Sequence, residues 1–259
     1  MGTVHKALSL LDFFSEKRTE IGLSELARLS AFDKATVLRL MTSLADRGFV
    51  EQHAQSGKYR LGPALVRLAN IREASFPQKS AARPILQRLS EASGETAHLV
   101  LLVRNSLETI DFIESRDHAI RVRMDAGERI PLHASASGIA CLAFMPNEDA
   151  EAVLSSTLER FTRHTVNDKN ALSRLLDTTR RSGVAEVDQG FEEGVYGMAA
   201  PLFAADGSVT GSVGIATPIT RINAGFRKQA RLLIQQSASE ITEAWGGSER
   251  KHRIRGAAA

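Results

Sequence analysis

Residues 22–62, GLSELARLSAFDKATVLRLMTSLADRGFVEQHAQSGKYRLG, decide the fold of the N-terminal part of this chain. Ser24 stands where a helix cap is expected, ahead of Leu26 and Leu29, with Glu25 at the positive end of the helix dipole. A turn at Ser30-Ala31-Phe32 leads to Asp33, the expected cap of a second helix. There Val37, Leu40, Met41 and Leu44 recur at i, i+3, i+4 and i+7, one apolar stripe. Burying that stripe leaves Lys34, Thr36, Arg39 and Ser43 on the outer side. Gly48 suits a left-handed helix stop. Beyond it, Phe49–Glu51 and Lys58–Leu61 predict two strands joined by a polar loop that contains Ser56-Gly57. Upstream, Val4, Ala7, Leu8, Leu11 and Phe14 predict an amphipathic first helix that completes a three-helix core.

Two short helices, the second one basic, followed by a basic hairpin make a winged helix-turn-helix. Such a unit aims its second helix at the major groove of DNA and its wing at the backbone. The candidate DNA contacts are Ser24, Lys34, Ala35, Thr36, Arg39 and Ser43 on the helices and Lys58, Tyr59 and Arg60 on the wing. An alternative is a small-molecule sensor whose winged helix mediates dimerisation or protein contacts only. A protein-docking helix would expose apolar side chains where this one shows Lys34, Thr36 and Arg39, which favours DNA.

The chain has 259 residues, enough for two domains, with 43% hydrophobic and 24% charged residues, as in soluble globular proteins. No apolar run approaches the ~20 residues that a membrane-spanning helix needs. The N-terminus reads as an amphipathic helix with Lys6 and Asp12, not as a leader, so the expected location is cytoplasmic with no membrane partner. The net charge is only +3, mild for a DNA binder. Much of the excess lies in Arg250-Lys251-His252-Arg253-Ile254-Arg255, within a tail over 247–259 that is expected to be disordered. Cys141 is the only cysteine, which excludes an intrachain disulfide and a zinc finger. His5, His53, His98, His118, His133, His164 and His252 show no paired ligand spacing, so no metal or cofactor is expected.

Pro63 is well placed to open a helix through Ala64, Leu65, Leu68, Ala69 and Ile71, ending before Pro77. This puts the DNA-binding domain at 1–62, a connecting helix at 63–77 and a larger domain at 78–246. In the larger part a helix with Ile85, Leu86 and Leu89 stops at Gly94. Strands are expected at 96–103 and 109–113, turning at Asn105-Ser106, at 120–124, and at 196–204 and 209–217, joined through Asp206-Gly207. Helices are expected near 138–144 and 170–181, and a last one carries Phe226, Ala230, Leu233, Ile234, Ile241 and Trp245. Hairpins mixed with helices predict an α+β domain, an antiparallel sheet with helices packed on it.

Two further motifs are Leu132-His133-Ala134-Ser135-Ala136-Ser137-Gly138-Ile139-Ala140, and Asp188 to Gly194 followed by Met198-Ala199-Ala200-Pro201-Leu202, Asp206-Gly207, Gly211 to Pro218 and Arg221. With the winged helix, and in this order from about Val4 to Trp245, they resemble the IclR family of bacterial transcriptional regulators. The resemblance implies a GAF-like effector domain that controls DNA affinity, and homodimers or dimers of dimers on a double-stranded DNA operator. The chain departs from the family where a basic residue commonly follows the Ser-Gly (here Ile139) and where Glu often follows the aspartate by two (here Gly190).

Ser-Ala-Ser-Gly ahead of an apolar helix presents free N–H groups at a positive dipole end, suited to a carboxylate, although without the resemblance plain capping by Ser135 or Ser137 is slightly the better reading. The resemblance implies an opposite wall at Asp188, Met198, Gly214 and Ala216. The candidate effector residues are therefore Met124, Ala136, Ser137, Gly138, Asp188, Met198, Gly214 and Ala216. Their small, apolar character suits a carboxylic acid with an apolar or aromatic body. An enzyme is not expected: there is no Gly-x-Ser-x-Gly elbow, and Ser135 or Ser137 lies too close in sequence to His133 to form a nucleophile and base.

Overall fold

The structure, a computed structural model, describes residues 2–15, 18–75, 77–124 and 129–248. The basic stretch 250–255, in the tail expected to be disordered, lies outside the described residues. The chain divides into two compact units, 1–77 and 78–259.

The first unit opens with α1 (Thr3–Ser9) and a 3-10 turn (Leu11–Phe13), followed by α2 (Leu23–Ser30) and α3 (Lys34–Asp46). The hairpin β1 (Val50–Gln52) and β2 (Tyr59–Leu61) pairs Val50 with Leu61 and Gln52 with Tyr59. Helix α4 (Pro63–Ser75) ends the unit. Its core is the expected stripe Val37, Leu40, Met41 and Leu44 together with Leu10, Ile21, Leu26, Val50 and Tyr59. Leu10 fills the place expected for Val4 and Leu8, which are 74% and 50% exposed. The first helix ends a turn early, so its apolar residues split between core and surface. Gly22, not Ser24, is the N-cap of α2, and Ser24 is exposed within the first turn. Here the chain enters the helix directly from the bridge between Ile21 and Tyr59, which places the cap two residues earlier.

The helix stop at Gly48 (φ 71°) is a Schellman arrangement: Gly48 N–H donates to Ala45 O and Phe49 N–H to Leu44 O. The same glycine binds the start of α4, since its carbonyl accepts from Ala64 N–H at 3.0 Å. Gly62 crosses it so closely that a Cβ there would lie 2.3 Å from Gly48 O.

The second unit is a six-stranded antiparallel sheet in the order β5-β4-β3-β8-β7-β6. It contains α5 (Gln78–Ser93), β3 (Thr96–Val103), β4 (Ser106–Ile113), β5 (Arg129–Ile130), α6 (Ala136–Leu142) and α7 (Asn147–Ser155). After them come α8 (Lys169–Ser182), β6 (Ala185–Asp188), β7 (Val195–Phe203), β8 (Val209–Pro218) and α9 (Ala224–Ala244). The fold is α+β, with an apolar core on each face of the sheet. Leu86, Leu89, Leu99, Tyr196, Met198, Val213, Ile215, Ile234 and Ile241 join α5 and α9 to one face. Val100, Leu107, Ile139, Leu142, Leu172, Leu176, Ala199 and Phe203 join α6 and α8 to the other.

Several elements differ from the sequence reading. Residues 120–124 form no strand; β5 falls later, at Arg129–Ile130, and Ile120 is 74% exposed. Apolar alternation at 120–124 is met instead by an irregular segment tied down through Val122 O, which accepts from Thr96 Oγ1 at 2.7 Å. The first hairpin turns at Arg104-Asn105, one residue early, with Arg104 at φ 56°. Helix α7 and strand β6 are additional to the expected elements. The Asp206-Gly207 turn forms as expected, with Gly207 at φ 83°.

Candidate DNA interface and ligand cavity

Helix α3 is fixed at its start by Asp33, whose carboxylate accepts from Thr36 N–H at 2.8 Å and from the Thr36 hydroxyl at 2.7 Å. Those bonds hold the Asp33 carboxyl below its usual pKa. With the apolar stripe buried, the outer face shows Lys34, Ala35, Leu38, Arg39, Thr42 and Ser43. Among the described residues no carboxylate pairs with Lys34, Arg39 or Lys58, so their N–H groups are available to phosphates and base edges. The Thr36 hydroxyl serves the cap and the Ser43 hydroxyl donates to Arg39 O at 3.0 Å. On the wing, Arg60 is held by Glu51 at 2.9 Å across the hairpin. Tyr59 is 2% exposed and its side chain belongs to the core, not to the outer surface of the wing. It pairs with Ile21 on one side and Gln52 on the other, and strand alternation turns it inward while Lys58 and Arg60 turn out. Leu38, 46% exposed, escapes the sequence reading because it breaks the polar pattern of the face.

The second unit holds a half-open cavity with about 610 Å3 of empty space, its mouth included, on the α6 face of the sheet. A mainly apolar cleft with a few inner polar groups is the kind of site that takes a small organic ligand. Its wall is mainly apolar, from Val122 and Met124 of the irregular segment, Ile130 of β5, Ala134 and Ala136 before and in α6, and Val187, Val195 and Ala216 of the sheet. His98, Ser135 and Ser137 add the inner polar groups, and Arg123 and Glu192 are exposed beside them. Phe191 closes one side, backed edge-on by Phe161 at 5.2 Å. Ser135 caps α6, accepting from Gly138 N–H at 2.9 Å, and His98 Nε2 lies 2.8 Å from Ser137 Oγ. Burial pushes the pKa of His98 down to about 4, so the ring is neutral near pH 7.

Family profiles match both units: the IclR helix-turn-helix domain over residues 3–54 and the bacterial transcriptional regulator IclR C-terminal domain over residues 75–243. The chain belongs to the IclR family. It is 30% identical over 249 residues to the HTH-type transcriptional regulator XynR of Escherichia coli K12, spanning 94% of this chain and 97% of that protein. The crystal structure of an IclR transcriptional regulator from Silicibacter sp. TM1040 superposes with a TM-score of 0.89 at 41% identity, covering 95% of this chain and 97% of that one. An IclR homologue from Microbacterium hydrocarbonoxydans, solved with 4-hydroxybenzoate, gives a TM-score of 0.81 at 25% identity, covering 94% and 99%.

Within this IclR C-terminal domain the residues expected to hold a ligand divide. Met124, Ala136, Ser137 and Ala216 line the cavity. Asp188 and Met198 do not: they face the other side of the sheet, Asp188 beside its strand partner Tyr196, and Met198 fully buried with Tyr196 and Val213. Their neighbours Val187 and Gly197 line the cavity in their stead, because a step of one residue along a strand changes the face. Gly138 packs backbone to backbone, since a Cβ there would lie 2.4 Å from both Leu132 O and Pro131 O. Gly214 is likewise pressed against Met198 O, which a Cβ would approach to 2.4 Å, and it stays outside the wall. At Gly190 a Cβ would meet Ala134 O at 2.7 Å, so the glycine keeps this wall close. Helix α6 has only seven residues and its first turn is served by Ser135, so capping accounts for the Ser-Ala-Ser-Gly motif.

His98 escapes the sequence reading because it sits alone in an apolar strand; the visible signal is a histidine at a position whose neighbours Ala97 and Leu99 face the opposite core. The Ser137–His98 pair resembles a nucleophile and base at hydrogen-bond distance. A working base is oriented by a third group. His98 Nδ1 has no partner among the described residues, and His133 Nε2 is engaged with Glu159 O at 2.9 Å. Among the described residues no cluster of His, Cys, Asp and Glu has metal-site spacing, and no helix is long and apolar enough to cross a membrane.

Proposed function

We propose that this protein regulates transcription by binding an operator through α3 and the wing, under the control of a small organic acid held in the cavity. The observation that carries the DNA reading is the outer face of α3. It presents Lys34 and Arg39 without carboxylate partners among the described residues, together with Ala35 and Leu38, whose apolar surfaces suit thymine methyl groups. Lys58 continues the positive face on the wing.

A homodimer supplies the second reading helix, about one helical turn along the duplex. Val66 (64% exposed) and Ile71 (54%) on α4, with Val4 and Leu8 on α1, give the first unit the apolar surface such self-association buries. The effector reading rests on the apolar cavity with a few inner polar groups, and on the 4-hydroxybenzoate complex of the Microbacterium relative. Binding shifts DNA affinity only by the difference in the effector's affinity for the two states of the protein.

Fluorescence anisotropy with DNA from upstream of the protein's own gene, against unrelated DNA of matched composition across a salt series, tests the reading. Tight, salt-sensitive preference for the upstream fragment is expected, and addition of 4-hydroxybenzoate then probes the cavity. Equal, feeble binding to both fragments, with and without the acid, would move the sensor-only role of the winged helix to the front.

A further inference from the structure

The segment 114–124 belongs to no helix or strand, yet it brings Val122 and Met124 into the cavity wall. Side chains and backbone around Gly94–Thr96 hold part of its course. Ser115 Oγ donates to Gly94 O at 2.6 Å and Ser115 N–H to Thr96 Oγ1 at 3.3 Å, while Thr96 Oγ1 donates to Val122 O at 2.7 Å. Between those points the strap is gripped by Arg221, whose Nη1 donates to Ile120 O at 2.9 Å. The Ile120 side chain is 74% exposed, so the chain is fixed here through its backbone and not by packing.

Arg221 is itself held. Its Nε and Nη2 donate to the two carboxylate oxygens of Glu95, both at 2.6 Å, and the Glu95 side chain is 2% exposed. A guanidinium fork can meet both oxygens of a carboxylate and still aim another N–H at a carbonyl. A buried ion pair adds little stability over an apolar pair of similar volume, so stability alone does not account for these two charges. A directed grip on Ile120 O does. Glu95 follows the end of α5, and Arg221 lies in the 3-10 turn Ile219–Arg221 ahead of α9. The cavity wall is thus anchored to the helices that cover the opposite face of the sheet.

We infer that Arg221 is a positioning residue of the ligand cavity: locked by Glu95, it clamps the 114–124 strap at Ile120 and so sets where Val122 and Met124 stand against the ligand. The inference rests on the cavity being the effector site. It also gives a role to the arginine that closes the second sequence motif, although Arg221 lies outside the cavity wall.

Trypsin cutting of the full-length protein, mapped by mass spectrometry, reads the strap without any ligand, because Arg121 and Arg123 are exposed on it. Calorimetric titration with benzoate, 4-hydroxybenzoate and hexanoate reads the wall. Both compare wild type with the apolar pair Glu95→Leu/Arg221→Met and with Arg221→Lys, whose ammonium keeps a charge at Glu95 without the fork. The apolar pair should melt close to wild type. Its strap should nevertheless be cut about tenfold faster, and the acid that wild type favours should bind about tenfold or more weakly. Arg221→Lys should fall between the two, and it carries the test alone if the double variant does not fold. Unchanged cutting and affinity in the variants would overturn the inference. So would a lower melting temperature with cutting and affinity unchanged, since the pair would then only stabilise the fold. Failure of wild type to bind any of the three acids would overturn the cavity reading, and this inference with it.

Discussion

The outer face of α3 and the wall of the cavity are both rows of side chains set by a backbone period, but the two periods forgive differently. Each residue along a helix turns by about 100°, so the arc opposite Val37, Leu40, Met41 and Leu44 is broad. Lys34, Ala35, Leu38, Arg39, Thr42 and Ser43 all share it. A strand offers only two directions, and a single step separates Val187 in the cavity wall from Asp188 outside it, and Gly197 from Met198. A DNA-reading helix can therefore vary its contacts among neighbours without refolding. Where β6 and β7 form the cavity wall it is written in alternate letters, Val187, Val195 and Gly197, and its composition changes only at those positions.

The sharpest way to break this contrast is to alter the two faces of β7 separately. Met198→Ala, on the buried back face, should cost roughly 2–5 kcal/mol of stability in denaturant melts while leaving effector affinity within about twofold. A large loss of affinity would show that the faces are not independent. Acidification probes the cavity side in a different way. His98 is depressed from 6.5 to about 4, so below pH 6.5 the unfolded chain takes up a proton that the native state refuses. Stability should therefore fall as pH drops from 6.5 towards 4, by up to about 3 kcal/mol. His98→Asn should flatten that part of the stability profile.

On the DNA side, Arg39→Ala should weaken operator binding by roughly 1–3 kcal/mol and relax preference among operator variants, if its fork reads a guanine. An unchanged preference would move Arg39 to the phosphate contacts. Lys58→Ala should weaken binding to all sequences alike and lower the salt slope by about 1. Tyr59→Phe marks the lower end of the series, because the side chain is in the core: binding to the operator should not change, and an effect larger than about twofold would return it to the interface.

Legibility in the sequence follows the same contrast. The α3 stripe, its Asp33 cap and its Gly48 stop are readable because each is a local signal within a few residues. Ser24 misleads because the true start at Gly22 depends on the bridge from Ile21 to Tyr59, nearly forty residues away in the chain. The cavity is half readable: Ala136 and Ser137 lie beside a local motif, and Ala216 on a long strand. Asp188 and Met198 fall outside the wall because sheet facing depends on how β6, β7 and β8 pair and on which helices cover each side, neither of which has a local signature. His98 and Phe191 come from segments more than ninety residues apart, and only the fold brings them to one wall.

The knot of backbone at Gly48 and Gly62 carries a consequence for engineering. Phe49 O accepts from Gly62 N–H at 2.8 Å and Gly48 O from Ala64 N–H, so the hairpin is pinched shut at its base. Everything from Gln52 to Lys58 hangs beyond that pinch. The tip is therefore a place where residues can be inserted or removed to lengthen or shorten the reach along the DNA backbone, while the angle at which α4 leaves α3 stays as it is. Gly62 itself is the opposite kind of site, where even one methyl group would force that joint apart.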